Sequence, residues 1–201
     1  SGFNQFMRLD GGYSGVTASQ IDAFIEKNCL YQEKVTGRRS TLRGLGSAIV
    51  DVSKSTGVNE AYILAHAILE SGWGCSVLAT GNVVGYQGYY NFFGIGAYDT
   101  DPLNGGAALA KLNAWTTPAL AIQGGAQWIA KNYITRAFNA GAGYYVRQNT
   151  LYKMRFAPGL NNTWHQYATS LTWPRSIASL ISNVYIYAGQ KSVAYDVPLY
   201  T

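Results

Sequence analysis

The segment 59–76, NEAYILAHAILESGWGCS, constrains the fold of this chain more than any other. From residue 59 to 69 it is apolar, or nearly so, on every side of a helix, and a helix without a polar face is a buried one. The pattern then changes abruptly to Glu70, which is followed by a Gly-Trp-Gly turn. The sequence therefore predicts a glutamate at the C-terminal end of a buried helix, beside a turn that other groups can approach closely.

The surroundings of this glutamate predict a raised pKa for Glu70. Burial disfavours the ionised carboxylate, and the negative end of the helix dipole disfavours it further. A carboxyl group that keeps its proton near neutral pH is suited to act as a general acid. The alternative is an ordinary helix end, at which Glu70 caps a neighbouring group or faces solvent.

A chain of 201 residues with 48% hydrophobic and 12% charged residues is typical of one folded domain. Its longest apolar runs fall short of the roughly 20 residues that a membrane span requires. The first residues, SGFNQFMRLDGG, lack the basic start and apolar core of a signal peptide. The chain is therefore either cytoplasmic or, as we expect, a single domain (1–201) excised from a larger modular protein, with an irregular lead-in at 1–16. Cys29 and Cys75 can pair only if the fold brings them together.

The net charge of +5 comes from scattered basic residues, so nucleic acid is not an expected partner. A diffuse positive field suits an anionic polymer, for instance the phosphate-bearing polyols of a cell wall, or serves solubility alone. Aromatic residues make up 14% of the chain, and sixteen of them are tyrosines. Aromatic rings with polar tips suit sugar-binding clefts as well as core edges. The glycine-interleaved cluster 85–91, GYQGYYN, is our first candidate for ligand contact.

Hydrophobic periodicity and capping residues predict a predominantly helical α+β domain. The predicted helices cover 17–28 (capped by Thr17 or Ser19), 42–55, 59–70, 107–114, 118–133 and 174–188, with a short helical step at 77–79. Loops are predicted at 31–41 and 141–165. Helical periodicity is lost and turn residues are frequent across 82–98, which predicts a hairpin there, in a small β lobe at about 82–105.

Ten acidic residues are present, and only Asp99 and Asp101 fall in the predicted β lobe. If a second carboxylate works with Glu70 it is one of these two, although Asp101 before a proline is also typical of a turn. His66 lies one helical turn before Glu70, and either shares its face or is a core histidine. The acids and histidines have no metal-ligand spacing and neighbour no nucleophile motif, so neither a metal nor a cofactor is expected.

Five segments carry a family resemblance. They read AHAILESGWGCSVLA, YYNFFGIGAYDTDPLNGG, AIQGGAQWIAKNYI, NTLYKMRFAP and HQYATSL, and the likeness as a whole covers residues 17–189. In this order they resemble the glucosaminidase domain of bacterial cell-wall autolysins, glycoside hydrolase family 73, of the staphylococcal and clostridial type. The ESGWG block alone is shared with related lytic enzymes, whereas its combination with NFFGI and YAT is specific.

The resemblance implies a lysozyme-like fold, in which a helical lobe and a small β lobe flank a cleft. It also implies hydrolysis of the β-1,4 bond that follows N-acetylglucosamine in peptidoglycan glycan strands, by a secreted enzyme at the cell wall. Glu70 aligns with the general acid of the family and Tyr167 with the tyrosine that faces it. We expect a monomer. The residues expected to bind substrate are Asn91, Phe93, Gly94, Tyr89 and Tyr90.

Two departures from the family pattern bear on the mechanism. Several members place a second catalytic glutamate in the β lobe, whereas this chain has no glutamate after position 70, and its YAT motif is followed by Ser170 instead of aspartate. A second carboxylate would decide between inversion through water and retention through a glycosyl-enzyme. Without one, the 2-acetamido group of the substrate can attack the anomeric carbon while Glu70 protonates the leaving oxygen and then activates water. We expect this substrate-assisted route, with Tyr167, Asp99 or Asp101 orienting the acetamide.

Three alternatives stay open at this point. A lytic transglycosylase or a muramidase would use the same acid on the same fold, and the transglycosylase would close an anhydro ring without water. A non-catalytic wall-binding module would use only the positive charge and the tyrosines. The buried glutamate and the absence of internal repeats argue against that last class.

Overall fold

The computed structural model describes residues 2–97, 100–141, 143–160 and 165–199. A 3-10 turn at Gly2–Phe6 precedes the first helix. The helices are α1 (Ala18–Asn28), α2 (Leu30–Thr36), α3 (Gly46–Thr56), α4 (Glu60–Ser71), α5 (Pro102–Leu112), α6 (Pro118–Ile129), α7 (Leu151–Phe156) and α8 (Trp173–Ala188). The two strands are β1 (Ala137–Asn139) and β2 (Tyr145–Arg147).

Helix α4 is the predicted buried helix and lies at the centre of the core, packed against α3 and α8. Asn59 caps its start by accepting a hydrogen bond from the backbone N–H of Tyr62 at 3.0 Å. Its residues 60–68 are all buried. Gly72 ends the helix with a left-handed φ of 55°, a conformation that glycine adopts at little cost. Local sequence therefore fixes the point at which the chain leaves the core, immediately after Glu70.

The first half of the chain follows the predicted helices with one correction. Thr17 caps α1 in a capping box with Gln20, as predicted. The predicted loop at 31–41 is wrong over its first residues, because α2 occupies 30–36 and ends at Gly37 in a left-handed conformation. Helix α3 begins at Gly46, later than predicted, where the Asp22 carboxylate accepts the Gly46 N–H at 2.8 Å.

The predicted hairpin at 82–98 is wrong for the part that the structure describes. Residues 82–97 form turns, in which Gly85 and Gly88 have left-handed φ values of 84° and 82° that interrupt extended pairing. The strands lie instead in β1 and β2, which pair antiparallel with Phe138 opposite Val146. The predicted loop at 141–165 therefore contains β2 and α7, and the small sheet is not at 82–105.

The second half of the chain contains the predicted helices, but some of them begin or end at other residues than predicted. Helix α5 begins at Pro102, five residues before the predicted start, and α8 begins at Trp173. Helix α6 starts at Pro118 as predicted. Its continuation, 130–134, is a π-helix in which the Thr135 N–H bonds to the Ala130 carbonyl at 2.9 Å. Such π segments occur frequently at functional sites.

The lead-in is more ordered than the sequence indicates. Its 3-10 turn packs against α8, and Met7 forms an isolated antiparallel bridge with Tyr195. Cys29 and Cys75 are both buried and do not form a disulfide. Within the described ranges, no helix combines the length and the apolar character needed to cross a membrane.

Candidate active site

Glu70 opens onto a cleft of about 650 Å³. The C-terminal end of α4 carries this residue to the surface, where its side chain is 26% exposed. The loop 93–97 and the segment 165–170 form walls of the cleft, and aromatic rings from other parts of the chain complete it. Among the acidic residues that the structure describes, Glu70 alone lines this space.

Two nitrogen-bearing side chains face the Glu70 carboxylate. The indole N–H of Trp173, from the start of α8, donates a hydrogen bond of 2.8 Å to Oε1. His66 Nε2 lies 3.7 Å from the same oxygen, which is too long for a hydrogen bond, and has no other partner in the described chain. His66 is completely buried, and its Nδ1 lies 3.0 Å from the Tyr62 hydroxyl. When that hydroxyl donates to Nδ1, the proton of the neutral imidazole lies on Nε2, facing Glu70.

These contacts reverse the predicted pKa shift of Glu70. Burial is the largest single influence and raises the pKa, but the neighbouring His66 and the Trp173 N–H favour the carboxylate and together outweigh it. The pKa of Glu70 therefore lies below its ordinary value, and the expectation of a raised pKa is wrong for this structure. The sequence left open whether His66 is a core histidine or shares the helix face of Glu70. In the structure it is both buried in the core and next to Glu70.

The loop that carries the NFFGI motif passes beside the carboxylate because of a glycine. Gly94 has a φ of 65°, and a Cβ atom on it would lie 3.3 Å from Glu70 Oε2. Phe93 is buried against His66, with ring centroids 5.3 Å apart. Asn91 is buried as well; its amide donates to the carbonyls of Ile95 and Gly106, and its oxygen accepts the Phe93 N–H. Asn91 therefore supports the loop and does not line the cleft, whereas Phe93 and Gly94 do.

Tyr167 lines the opposite wall, near Glu70, as predicted. Its hydroxyl donates a hydrogen bond of 2.7 Å to the Phe93 carbonyl, which ties the two walls together. Its ring stacks on Trp173 at 5.3 Å and meets His66 edge-on at 4.7 Å. Burial raises the pKa of Tyr167 well above its ordinary value, so the phenol stays protonated and its oxygen keeps an acceptor position.

Three other predicted residues that the structure describes, Asp101, Tyr89 and Tyr90, do not line the cleft. Asp101 is exposed at the N-cap of α5, where it accepts from the backbone N–H of Asn104 at 3.3 Å and from its side-chain amide at 3.0 Å. It does not line the cleft in this structure, and its hydrogen bonds agree with the turn interpretation. Tyr89 and Tyr90 are half-buried against the core and also lie outside the cleft lining. Asp99 falls outside the described residues.

Several residues of the site have no distinguishing signal in the sequence. Trp173, Trp128, Tyr133 and His165 line the cleft, and Tyr133 and His165 stack with ring centroids 4.3 Å apart. Arg155 is buried beneath the 166–170 wall. Its guanidinium donates to the carbonyls of Thr169 and Ser170 and to the Gln166 side chain. Only the aromatic excess of the sequence pointed to such rings, and nothing in the local pattern distinguished these from core residues.

The described part of the chain contains no cluster of side chains that could bind a metal ion. No group of three or more His, Cys, Asp or Glu side chains is placed there to hold a metal ion. Among the described residues, the cleft is lined by one carboxyl group, two phenols, two indoles and one imidazole. These groups can transfer protons to and from a bound polar substrate.

The comparisons with known proteins agree with this geometry. The family model described as "Glucosaminidase: Mannosyl-glycoprotein endo-beta-N-acetylglucosaminidase" matches residues 46–186. The bifunctional autolysin of Staphylococcus aureus (strain MSSA476) is 36% identical over 204 residues, which cover 98% of this chain. The chain spans only 14% of the length of that relative.

Solved structures of S. aureus autolysin E share the fold. A catalytic mutant of that protein in complex with the disaccharide NAG-NAM superposes with a TM-score of 0.74 at 29% identity, over 96% of this chain and 78% of that chain. The complex of autolysin E with the muropeptide NAM-L-Ala-D-iGlu gives a TM-score of 0.73 at 29% identity, over 98% of this chain and 78% of that chain. The predicted fold class, a helical α+β domain of lysozyme-like type, is confirmed. The chain therefore belongs to the glucosaminidase family, glycoside hydrolase family 73.

Proposed function

We propose that this domain hydrolyses the β-1,4 bond that follows N-acetylglucosamine in peptidoglycan glycan strands, with Glu70 as general acid and base. The observation that carries the proposal is the carboxyl group of Glu70 at the end of a buried helix, in a cleft of about 650 Å³ lined by aromatic rings. The relatives support the substrate class, since autolysin E binds NAG-NAM and a muropeptide. A glycan strand would lie along the cleft with the scissile oxygen beside Glu70.

The low pKa of Glu70 is compatible with acid catalysis because a bound strand changes its surroundings. A sugar that covers the carboxyl group excludes water, and this added desolvation raises the pKa. Glu70 then enters the reaction protonated and gives its proton to the leaving oxygen. The resulting carboxylate, held by the Trp173 N–H, next takes a proton from the water that attacks the anomeric carbon.

The nucleophile of the first step is the acetamido oxygen of the substrate. No second acid lines the cleft in the described part of the chain, so neither a carboxylate nucleophile nor a second carboxylate base is at hand there. Attack by the acetamido oxygen forms an oxazolinium ring as the glycosidic bond breaks, and water then opens that ring with overall retention. Tyr167 suits the orienting role, because its hydroxyl proton is given to the Phe93 carbonyl and its oxygen can accept the acetamide N–H.

The test is a digest of purified peptidoglycan, followed by borohydride reduction and mass spectrometry. Wild type is compared with Glu70→Gln and with Glu26→Gln, a matched change of an exposed glutamate on α1. New N-acetylglucosamine reducing ends, lost in Glu70→Gln and kept in Glu26→Gln, would support the proposal. Loss of general acid catalysis costs about 10²- to 10⁴-fold in rate.

Products other than N-acetylglucosamine reducing ends would indicate a different activity. Anhydromuramic ends would identify a lytic transglycosylase, and muramic reducing ends a muramidase, with Glu70 retained in both. No product from wild type would leave a wall-binding module. The route is tested separately by early-time NMR of the anomeric configuration: retention agrees with substrate assistance, and inversion contradicts it.

The same proposal places the domain at the cell wall, outside the cell. Its net charge of +5 suits attraction to anionic wall polymers, and we propose that it works there as a monomer. Retention of the domain on purified walls should weaken as salt rises, because screening shortens the reach of surface charges. Salt-independent retention would contradict the electrostatic part of this proposal.

A further inference from the structure

A second groove adjoins the cleft at Trp128. It has a volume of about 400 Å³ and lies along the outer side of α6. Trp128 lines both this groove and the cleft that holds Glu70, so its indole is a wall shared by the two spaces. We call this space the Trp128 groove.

The floor of the groove is concave because a glycine lets an indole approach the helix. Trp115 packs against α6 at Gly124, where a Cβ atom would lie 2.1 Å from the indole nitrogen. Trp115 is only 4% exposed. The result is a hollow with indole rings in its lining, whereas an ordinary solvent-facing helix would present a convex face.

A polar stripe runs along the groove. Gln123, Gln127 and Lys131 follow one another at intervals of four residues and all line it. Neither a hydrogen bond nor an ion pair joins these three side chains to other residues in the described part of the chain. Two amides and one cation are therefore available to a ligand next to an aromatic wall. That combination suits the hydroxyl, acetamido and carboxylate groups of an amino sugar.

The π-helix serves both spaces. Lys131, in the π segment 130–134, lines the groove, and Tyr133, two residues later, lines the cleft. Together with Trp128 at the end of α6, this segment therefore contributes to both spaces.

We propose that the Trp128 groove binds a further amino-sugar unit of the same glycan strand, away from the bond that is cleaved. This inference rests on the proposed function and adds a subsite to it. The strand is the occupant because the groove adjoins the cleft, with Trp128 lining both spaces. A muramic acid unit carries a carboxylate, on its lactyl group or on its stem peptide, and Lys131 would pair with it.

The experiment compares strand lengths. Peptide-free glycan strands are prepared at the shortest length that wild type cleaves and at two or more times that length. The double variant Gln127→Ala/Lys131→Ala removes the amide and the cation without touching the cleft lining. Its kcat/KM on long strands should fall about tenfold, through KM, as expected for two lost polar contacts, while cleavage of the shortest strand is unchanged. Lys34→Ala, an exposed change on α2, is the charge-matched control.

Equal activity of the double variant and wild type on long strands, both peptide-free and peptide-bearing, would overturn the inference. An equal loss on both lengths would also overturn it, since a distal subsite matters only to a strand that reaches it. Repeating the comparison on strands that keep their stem peptides assigns the partner of Lys131. A loss on peptide-free strands identifies the lactyl carboxylate, and a loss confined to peptide-bearing strands identifies the stem peptide; either supports the groove.

A binding measurement separates this inference from the proposed function. Long strands are titrated into Glu70→Gln with and without the two groove substitutions, and affinity is read by calorimetry. Weaker binding by the groove variant supports the subsite even if the cleaved bond is not the one proposed. Equal affinities contradict the subsite while leaving the hydrolase proposal intact.

Discussion

The indole nitrogen of Trp173 lies 2.8 Å from Oε1 of Glu70, so a residue at the start of α8 fixes a carboxylate at the end of α4. The two residues are 103 positions apart in the chain. The bond orients the carboxylate toward the cleft and favours its ionised form. It therefore connects the packing of two core helices to the protonation of the one acid that lines the cleft in the described structure.

Trp173→Phe should move the alkaline limb of the activity profile to higher pH. Removing a donor to the carboxylate raises the pKa of Glu70. A general acid works in its protonated form, so activity falls as pH rises through this pKa, and a higher pKa delays the fall. The measurement is kcat/KM on peptidoglycan against pH. Trp128→Phe, in the same cleft, is the control and should leave the limb in place; a limb that stays fixed or moves down in Trp173→Phe would contradict the assignment.

Gly94→Ala should inactivate the domain more than it destabilises it. The new Cβ would lie 3.3 Å from Glu70 Oε2 at a φ of 65°. We expect about 1 kcal/mol of backbone strain. A displaced carboxylate should in addition reduce kcat about ten- to hundredfold.

Gly85→Ala is the matched control for this substitution. Its φ is 84°, and nothing lies within 4 Å of the added Cβ. It should show a similar fall in melting temperature with nearly normal activity. Equal kcat values for the two variants would show that the approach of Gly94 to the carboxylate is unimportant.

Substitutions of Asp101 should separate helix capping from catalysis. Asp101→Asn keeps a side-chain acceptor for the Asn104 N–H and should retain both stability and activity. Asp101→Ala should cost about 1 kcal/mol of stability through the lost cap, with activity again retained. Thermal melts and peptidoglycan digests measure the two effects. Were Asp101 a catalytic carboxylate, the asparagine variant would be as inactive as the alanine variant.

Glu33→Gln should destabilise the protein in a pH-dependent way. Hydrogen bonds from Arg43 and from the Ser40 N–H hold the pKa of Glu33 down to about 2, against 4.5 ordinarily. A carboxylate with a lowered folded-state pKa contributes stability above its unfolded pKa and loses it as pH falls through the folded one. The difference from wild type should be about 1 kcal/mol at neutral pH and should disappear as pH falls from 4.5 toward 2.

The Glu33 contact matters to the site because Ser40 also holds the turn after Glu70. The Ser40 hydroxyl donates to the Trp73 carbonyl at 2.5 Å. Chemical denaturation across the pH range tests the expectation, with Glu26→Gln, an exposed glutamate on α1, as control. A pH-independent difference for Glu33→Gln would show that the ion pair is not its source.

The sequence by itself determined the central helix and the position of its glutamate. The signals are local: an apolar surface on every side of 59–69, an asparagine cap before it and a glycine turn after Glu70. The same is true of the cap of α1 and the proline starts of α6 and α8, which need only neighbouring residues. Family motifs then identified Tyr167, Phe93 and Gly94, which do line the cleft.

Tertiary structure decided the protonation of Glu70 and the contacts that its carboxylate makes. Burial and the helix dipole predict a raised pKa, but His66, one turn earlier on the same helix, and Trp173, from far along the chain, together reverse the sign. Asn91 and Asp101 have polar side chains of the kind found in substrate-binding sites, but each forms its hydrogen bonds with nearby backbone groups. The residue types alone do not reveal these bonds. The small sheet at 137–147 depends on pairing between segments with weak local signals. Helix caps and helix starts depend on neighbouring residues, so the sequence predicts them, whereas a contact between distant segments, such as Trp173 with Glu70, is decided by the folded packing.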